Sequence, residues 1–222
     1  MRVATFNVHH CEGRDGVVDV ARVADVIVAT GAEVVALQEL DLAMERTGGT
    51  NQPGEIAAAT RLTVEFHAVL QRGDGRYGNA LAAPGRLDST KVALPSVARE
   101  EPRAAVVGRY DGITFVGAHL SRSRRARAEQ IRALAVLATR LDPPVVLMGD
   151  LNEPESGLGP LFDAGFNAVR QPSWRRLWLR LRPSPEIDHI LVGPGLRVES
   201  QQTIRTPASD HPVLVAEIVP TA

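Results

Sequence analysis

The chain has 222 residues, 44% of them hydrophobic, enough to bury one substantial core and short for two full domains. Its formal net charge of -1 excludes a global positive field of the kind that drives non-specific binding to nucleic acid, so contact with a polyanion must be local. Cys11, the only cysteine, excludes an internal disulfide and a multi-thiolate zinc site.

The N-terminus opens on a strand pattern, Val3 to Val8, with no apolar signal-peptide core, and no apolar run is long enough to span a bilayer, so the expected location is cytoplasmic. A helical pattern follows at Val18 to Thr30, then a strand at Glu33 to Leu37, a helix at Glu55 to Leu62, and strands at Val64 to Leu70 and Asn79 to Ala83. Gly48-Gly49 and Gly73 to Gly78 read as turns. Further strands are expected at Ala104 to Arg109 and Ile113 to Ala118, then a helix over Arg124 to Leu141 with Ile131, Leu134, Leu137, Ala138 and Leu141 at helical spacing. Val145 to Met148, Ile187 to Val192 and Val213 to Ile218 complete nine strands, more than one small sheet holds. Val145-Val146-Leu147-Met148 is apolar on both faces, which places it inside a sheet covered on both sides, in a layered α/β packing. No linker, repeat or composition shift divides residues 1–222, so one domain is expected.

Several apolar strands end on residues able to bind a cation or move a proton: Asn7, Glu39, His119, Asp150 with Asn152, and Asp188, joined by Asp210-His211 just before the last strand. Singly, each has an ordinary explanation as a cap, turn former or solvated loop residue. Together they supply what phosphate-ester hydrolysis requires: a site for a cation, an acceptor that positions water, and donors for the non-bridging oxygens. Mg²⁺ or Mn²⁺ takes oxygen ligands sparsely, for which Glu39 and Asp210 are candidates, with Asn7 adding an amide. In an extended Asp150-Leu151-Asn152, both polar side chains would point to one side and Leu151 to the core. His119 and His211 suit donation to phosphate or proton transfer, and Asp188 could orient one imidazole.

The motifs FNVH, ALQE, YGNAL, AHL, GDLN, IDHI and SDHPV, in that order from Met1 to about Glu217, resemble the endonuclease/exonuclease/phosphatase superfamily. The resemblance implies a four-layer α/β sandwich, two packed mixed β-sheets flanked by helices. It also implies that Asn7 and Glu39 lie at the metal, that Asp150 and Asn152 serve the nucleophilic water, that Asp188 pairs with His211, and that His119 faces the phosphate. Asp210 would be a metal or water-orienting carboxylate, and Asn79 of YGNAL would reach the same pocket; Asn7, Asn79, His119, Asn152 and His211 are the phosphate-binding set. Members that repair abasic DNA often carry an acid two residues after the first Asn, where this chain has His9, and that departure counts against a repair nuclease.

The expected activity is hydrolysis of phosphate esters, more readily phosphodiesters, by an activated water. The alternatives are a phosphate-binding module without turnover and a nuclease acting on DNA or RNA. The scattered histidines include no HxH or HExxH pair for zinc. The partner is a phosphate-ester substrate, with no obligate protein partner evident. Ser121 to Arg127 is a basic cluster that either binds an anionic substrate or is a solvated helix start. Trp174 to Arg182 mixes aromatics and guanidiniums, and could pack as an edge segment, stack on bases or lie on an anionic membrane. His10 and His67 read as structural or surface residues.

Overall fold

A strand covered on both faces sends alternate side chains into two different hydrophobic layers. Val145 to Met148 does so in the computed structural model, which describes residues 1–97, 100–168 and 186–221: Val145 and Leu147 enter one layer, Val146 and Met148 the other. The first sheet is built from β1 (Arg2–Asn7), β2 (Val34–Leu42), β3 (Thr63–Arg72), β4 (Gly75–Ala83), β11 (Leu196–Ile204) and β12 (Val213–Pro220), in the order β11-β12-β1-β2-β4-β3. The second contains β5 (Asp88–Ala93), β6 (Ala104–Tyr110), β7 (Ile113–His119), β8 (Val145–Asp150), β9 (Asn167–Ala168) and β10 (Asp188–Val192), in the order β5-β6-β7-β8-β10-β9. Each sheet is mixed, with one parallel pair, β1 with β2 and β7 with β8.

Three apolar layers hold four structural ones together. Phe6, Leu37 and Val215 of the first sheet pack under helices α1 (Val20–Thr30) and α2 (Gln52–Thr60), against Val23, Ile27 and Ile56. Between the sheets lie Leu81, Phe115, Val146, Met148 and Ile190. On the outer face of the second sheet, Leu147 and Leu191 meet Ile131 and Leu134 of α3 (Arg124–Ala138) and Leu161 of α4 (Gly159–Asp163). This is the four-layer α/β sandwich. Among the described residues, no helix is long and apolar enough to cross a membrane.

The ends of α1 follow from its sequence. The Asp19 carboxylate accepts from the Arg22 N–H, and Gly31 takes the left-handed conformation that closes the helix at φ 63°. Asp19→Ala is expected to cost about 1 kcal/mol, read as a lower urea midpoint with unchanged slope.

Three strands escape the sequence reading: β5, β9 and β11. β5 and β11 are sheet edges with largely exposed residues, and β9 has only two residues, so none carries a continuous apolar run. Gly78 is not in a turn but inside β4, where an added Cβ would lie 2.1 Å from the His67 carbonyl oxygen. α2 starts at Gln52, ahead of the expected Glu55, because Asn51 caps it and Pro53 fits its first turn. Trp174 to Arg182 lies outside the described residues.

Candidate active site

The two sheets bring the ends of β1, β7 and β8 to one rim, together with the middle of β2, the start of β10 and the loop before β12. Cross-strand register sets three of the side chains in a row: Asp150 lies opposite His119 on one side and opposite Asp188 on the other. Asn7, fully buried at the end of β1, links the sheets. Its Nδ2 donates to Glu39 Oε1 at 2.9 Å and to Asp150 Oδ2 at 3.1 Å, one amide serving two carboxylates. Its oxygen accepts from the His9 N–H at 3.0 Å, and Ser209 Oγ donates to its carbonyl at 2.7 Å.

Glu39 reaches this rim through a local irregularity. β2 does not end there but continues to Leu42, and the register against β4 shifts between Leu37 and Leu40. Glu39 itself has φ 62°, a left-handed conformation costly for a residue with a Cβ. The bulge re-aims the side chain toward Asn7 and His119, whose Nε2 is 3.9 Å from Glu39 Oε1.

Two carboxylates directly opposite each other on neighbouring strands repel. His211 relieves the Asp150–Asp188 pair: Nδ1 is 3.0 Å from Asp188 Oδ2 and Nε2 is 3.7 Å from Asp150 Oδ2. The three form a group whose ligand atoms lie within 4.8 Å of one another and could hold a metal ion. Burial and then the charge of Asp188 push the Asp150 carboxyl up to about 6, against the opposing pull of His211. Burial by itself lowers the His211 pKa, but Asp188, by hydrogen bond and charge, with Asp150 and Asp210, outweighs it and holds the imidazole up at about 9.

A histidine raised above its unfolded value of 6.5 contributes stability that is full below that pH and is lost as pH rises through its folded value near 9. In chelator-treated protein, the difference in melting temperature between wild type and His211→Ala is expected to shrink from pH 6.5 to pH 9. A gap that widens over that range would contradict the assigned sign.

His119 is buried, and burial, then Arg103, then His211 hold its pKa well below the usual value. Its Nε2 is 3.5 Å from Asp150 Oδ2. Arg103, not singled out by the sequence, places Nη1 3.1 Å from His119 Nδ1. A lone arginine ahead of an apolar strand among 25 basic residues gives no signal of this. Ser209 was likewise visible only as part of a motif.

The remaining expected residues are placed differently. Asp150-Leu151-Asn152 is not extended: Leu151 is buried as expected, but Asn152 turns back at φ 50°, its N–H donating to Asp150 Oδ1 at 2.9 Å and its Nδ2 to the Leu120 carbonyl at 3.0 Å. Asp210 faces outward with 59% of its side chain exposed, 4.0 Å from His9 Nδ1. Asn79 is buried and donates to the Ala104 carbonyl at 3.4 Å, tying β4 to β6; among the described residues no polar contact joins it to the rim. Arg127 of the basic cluster is committed to Glu153 and to the carbonyls of Ser121 and Arg122.

Known structures share this architecture. An endonuclease/exonuclease/phosphatase from Beutenbergia cavernae aligns with TM-score 0.78 and 20% identity, covering 99% of this chain and 71% of that one. The mannosyl-6-phosphatase Bt3783 of Bacteroides thetaiotaomicron aligns with TM-score 0.73 and 17% identity over 99% of both chains. The 3′ phosphatase NExo of Neisseria, in complex with a product DNA hairpin, aligns with TM-score 0.67 and 17% identity over 98% of both. No curated protein matches the sequence. At such identities the likeness is one of fold, but a family model also matches the sequence itself over residues 4–211, from the first strand to His211 at the rim. The chain therefore belongs to the Endonuclease/Exonuclease/phosphatase family.

Proposed function

We propose that the chain is a Mg²⁺- or Mn²⁺-dependent hydrolase of phosphate esters, acting more readily on diesters. The observation that carries this reading is the meeting of Glu39, His119, Asp150, Asp188 and His211 around one buried amide, Asn7. The donors fit a hard cation: Glu39 and Asp150 offer carboxylate oxygens aligned by the Asn7 amide, whereas Asp210 points outward. When bound, such a cation would supply charge neutralisation at the phosphoryl oxygens.

The chain's own groups perform the rest. Asp150, with its carboxyl raised to about 6, is a carboxylate at neutral pH and accepts a proton from the attacking water. His211, oriented by Asp188 and charged, gives its proton to the departing oxygen as the P–O bond breaks. His119 offers a donor to the non-bridging oxygens, while Asn152, bonded to Asp150 and the Leu120 carbonyl, holds the loop that carries Asp150. Acidic groups outnumber cationic ones at this rim, which disfavours a dianionic monoester relative to a monoanionic diester. Two of the similar structures are named as phosphatases alone, a mannosyl-6-phosphatase and a 3′ phosphatase, so the monoester is the comparison the assay must include.

The test is turnover of bis(p-nitrophenyl) phosphate against p-nitrophenyl phosphate by metal-stripped protein, with and without Mg²⁺ or Mn²⁺. Wild type is expected to regain activity with either ion, with the diester cleaved faster. Glu39→Ala is expected to lose about 100-fold at saturating substrate and to melt at a temperature the ion no longer raises. Turnover that is indifferent to chelation, or binding of the ion without any cleavage, would sink the reading.

A further inference from the structure

A guanidinium has only donors and keeps its proton at any pH at which the protein is folded. An imidazole nitrogen at hydrogen-bond distance from one must therefore present its lone pair, and in a neutral ring the proton then resides on the other nitrogen. Arg103 Nη1 and His119 Nδ1 stand in this relation at 3.1 Å, both side chains buried. The guanidinium is itself oriented, its Nη2 lying 3.2 Å from Glu101 Oε2. The other ring nitrogen of His119 faces the rim, 3.5 Å from Asp150 Oδ2 and 3.9 Å from Glu39 Oε1.

Arg103 is an expensive residue in this position. It is 8% exposed, and its Nε is buried with no hydrogen-bond partner among the described residues. A buried charge with an unmet donor is destabilising relative to an apolar side chain of similar volume, so stability alone does not account for it.

We propose that Arg103 is a positioning residue that fixes His119 as the neutral tautomer protonated at Nε2, so that His119 presents only an N–H to the phosphate. His119 is then a fixed donor and not a proton shuttle. Accepting a second proton would set an N–H at Nδ1 against the N–H of Arg103. Proton delivery falls to His211, whose Nδ1 faces a carboxylate and not a guanidinium. The catalytic consequence rests on the phosphoesterase reading; the tautomer does not.

The test begins with ¹⁵N-labelled wild-type protein and long-range proton–nitrogen correlation of the histidine rings at neutral pH, the His119 signals being assigned by their loss in His119→Ala. The expected pattern is an unprotonated Nδ1 and a protonated Nε2. In Arg103→Met both nitrogens should move toward the averaged values of exchanging tautomers, and Arg103→Lys, which also only donates, should restore the wild-type pattern. On the ester substrate, Arg103→Met should lower kcat/KM by about 10- to 100-fold in the wild-type background and have no further effect in His119→Ala. A protonated Nδ1 in wild type, or an equal loss in both backgrounds, would overturn the proposal. Absence of ester cleavage by wild type would remove the phosphoesterase reading and leave the tautomer to be decided by the nitrogen spectrum, which needs no variant of Arg103 to fold.

Discussion

His211→Ala is expected to lower turnover of the preferred ester by about 100- to 10,000-fold, the contribution of a positioned acid–base group. The variant removes the charge that lies between Asp150 and Asp188, 3.7 Å from one and 3.0 Å from the other. It therefore loses the group proposed to donate the proton and also leaves two opposed carboxylates without their shared partner. Asp188→Asn keeps the ring and one hydrogen bond but not the orienting charge, and should fall between wild type and His211→Ala. Steady-state kinetics on both variants, with circular dichroism to confirm folding, decide the matter. Turnover of His211→Ala within about threefold of wild type would take His211 out of the chemistry.

Gly149→Ala is expected to destabilise the fold by about 3 kcal/mol, a fall in melting temperature of roughly 10 °C for a chain of this size, and to abolish most activity. Gly149 has φ 151°, a conformation that side-chain-bearing residues rarely adopt. A Cβ there would lie 1.8 Å from the Ala118 carbonyl oxygen and 2.8 Å from its carbon. These are backbone atoms of the paired strand, so relief requires β7 and β8 to part. The residues that would part with them are His119 and Asp150, the next pair in the same register. A variant as stable as wild type in urea would show that the strands yield without cost.

The sequence made the buried strands legible because strands such as Val145 to Met148 are apolar on both faces and long enough to stand out. It did not make β11 legible, since an edge strand reading Leu-Arg-Val-Glu-Ser-Gln-Gln-Thr-Ile faces water along most of its length. The rim residues Asn7, Glu39, His119, Asp150, Asp188 and His211 were found through their places at strand ends, which the fold then brought together. What the chain order does not encode is local backbone hand. The left-handed turns at Glu39 and Asn152 arise from a bulge and a tight return, so one aims a carboxylate and the other changes an extended pair into a loop. Asn79 fitted its motif and yet bonds to Ala104, because alternation along β4 is set by the pairing with its neighbours and not by the motif. Arg103 was invisible for a different reason: its partner His119 is close only across the β6–β7 hairpin.

The buried amide of Asn7 sets a condition on when the rim can exist during folding. Its partner Asp150 is 143 residues away, and the Ser209 hydroxyl that holds its carbonyl is 202 residues away. Chain closures of that span are slow relative to the formation of α3 or of the β3–β4 hairpin. In a refolding experiment, helical circular dichroism should return first, and the capacity to cleave an ester should appear only with the final docking of the two sheets, making turnover the last signal to recover.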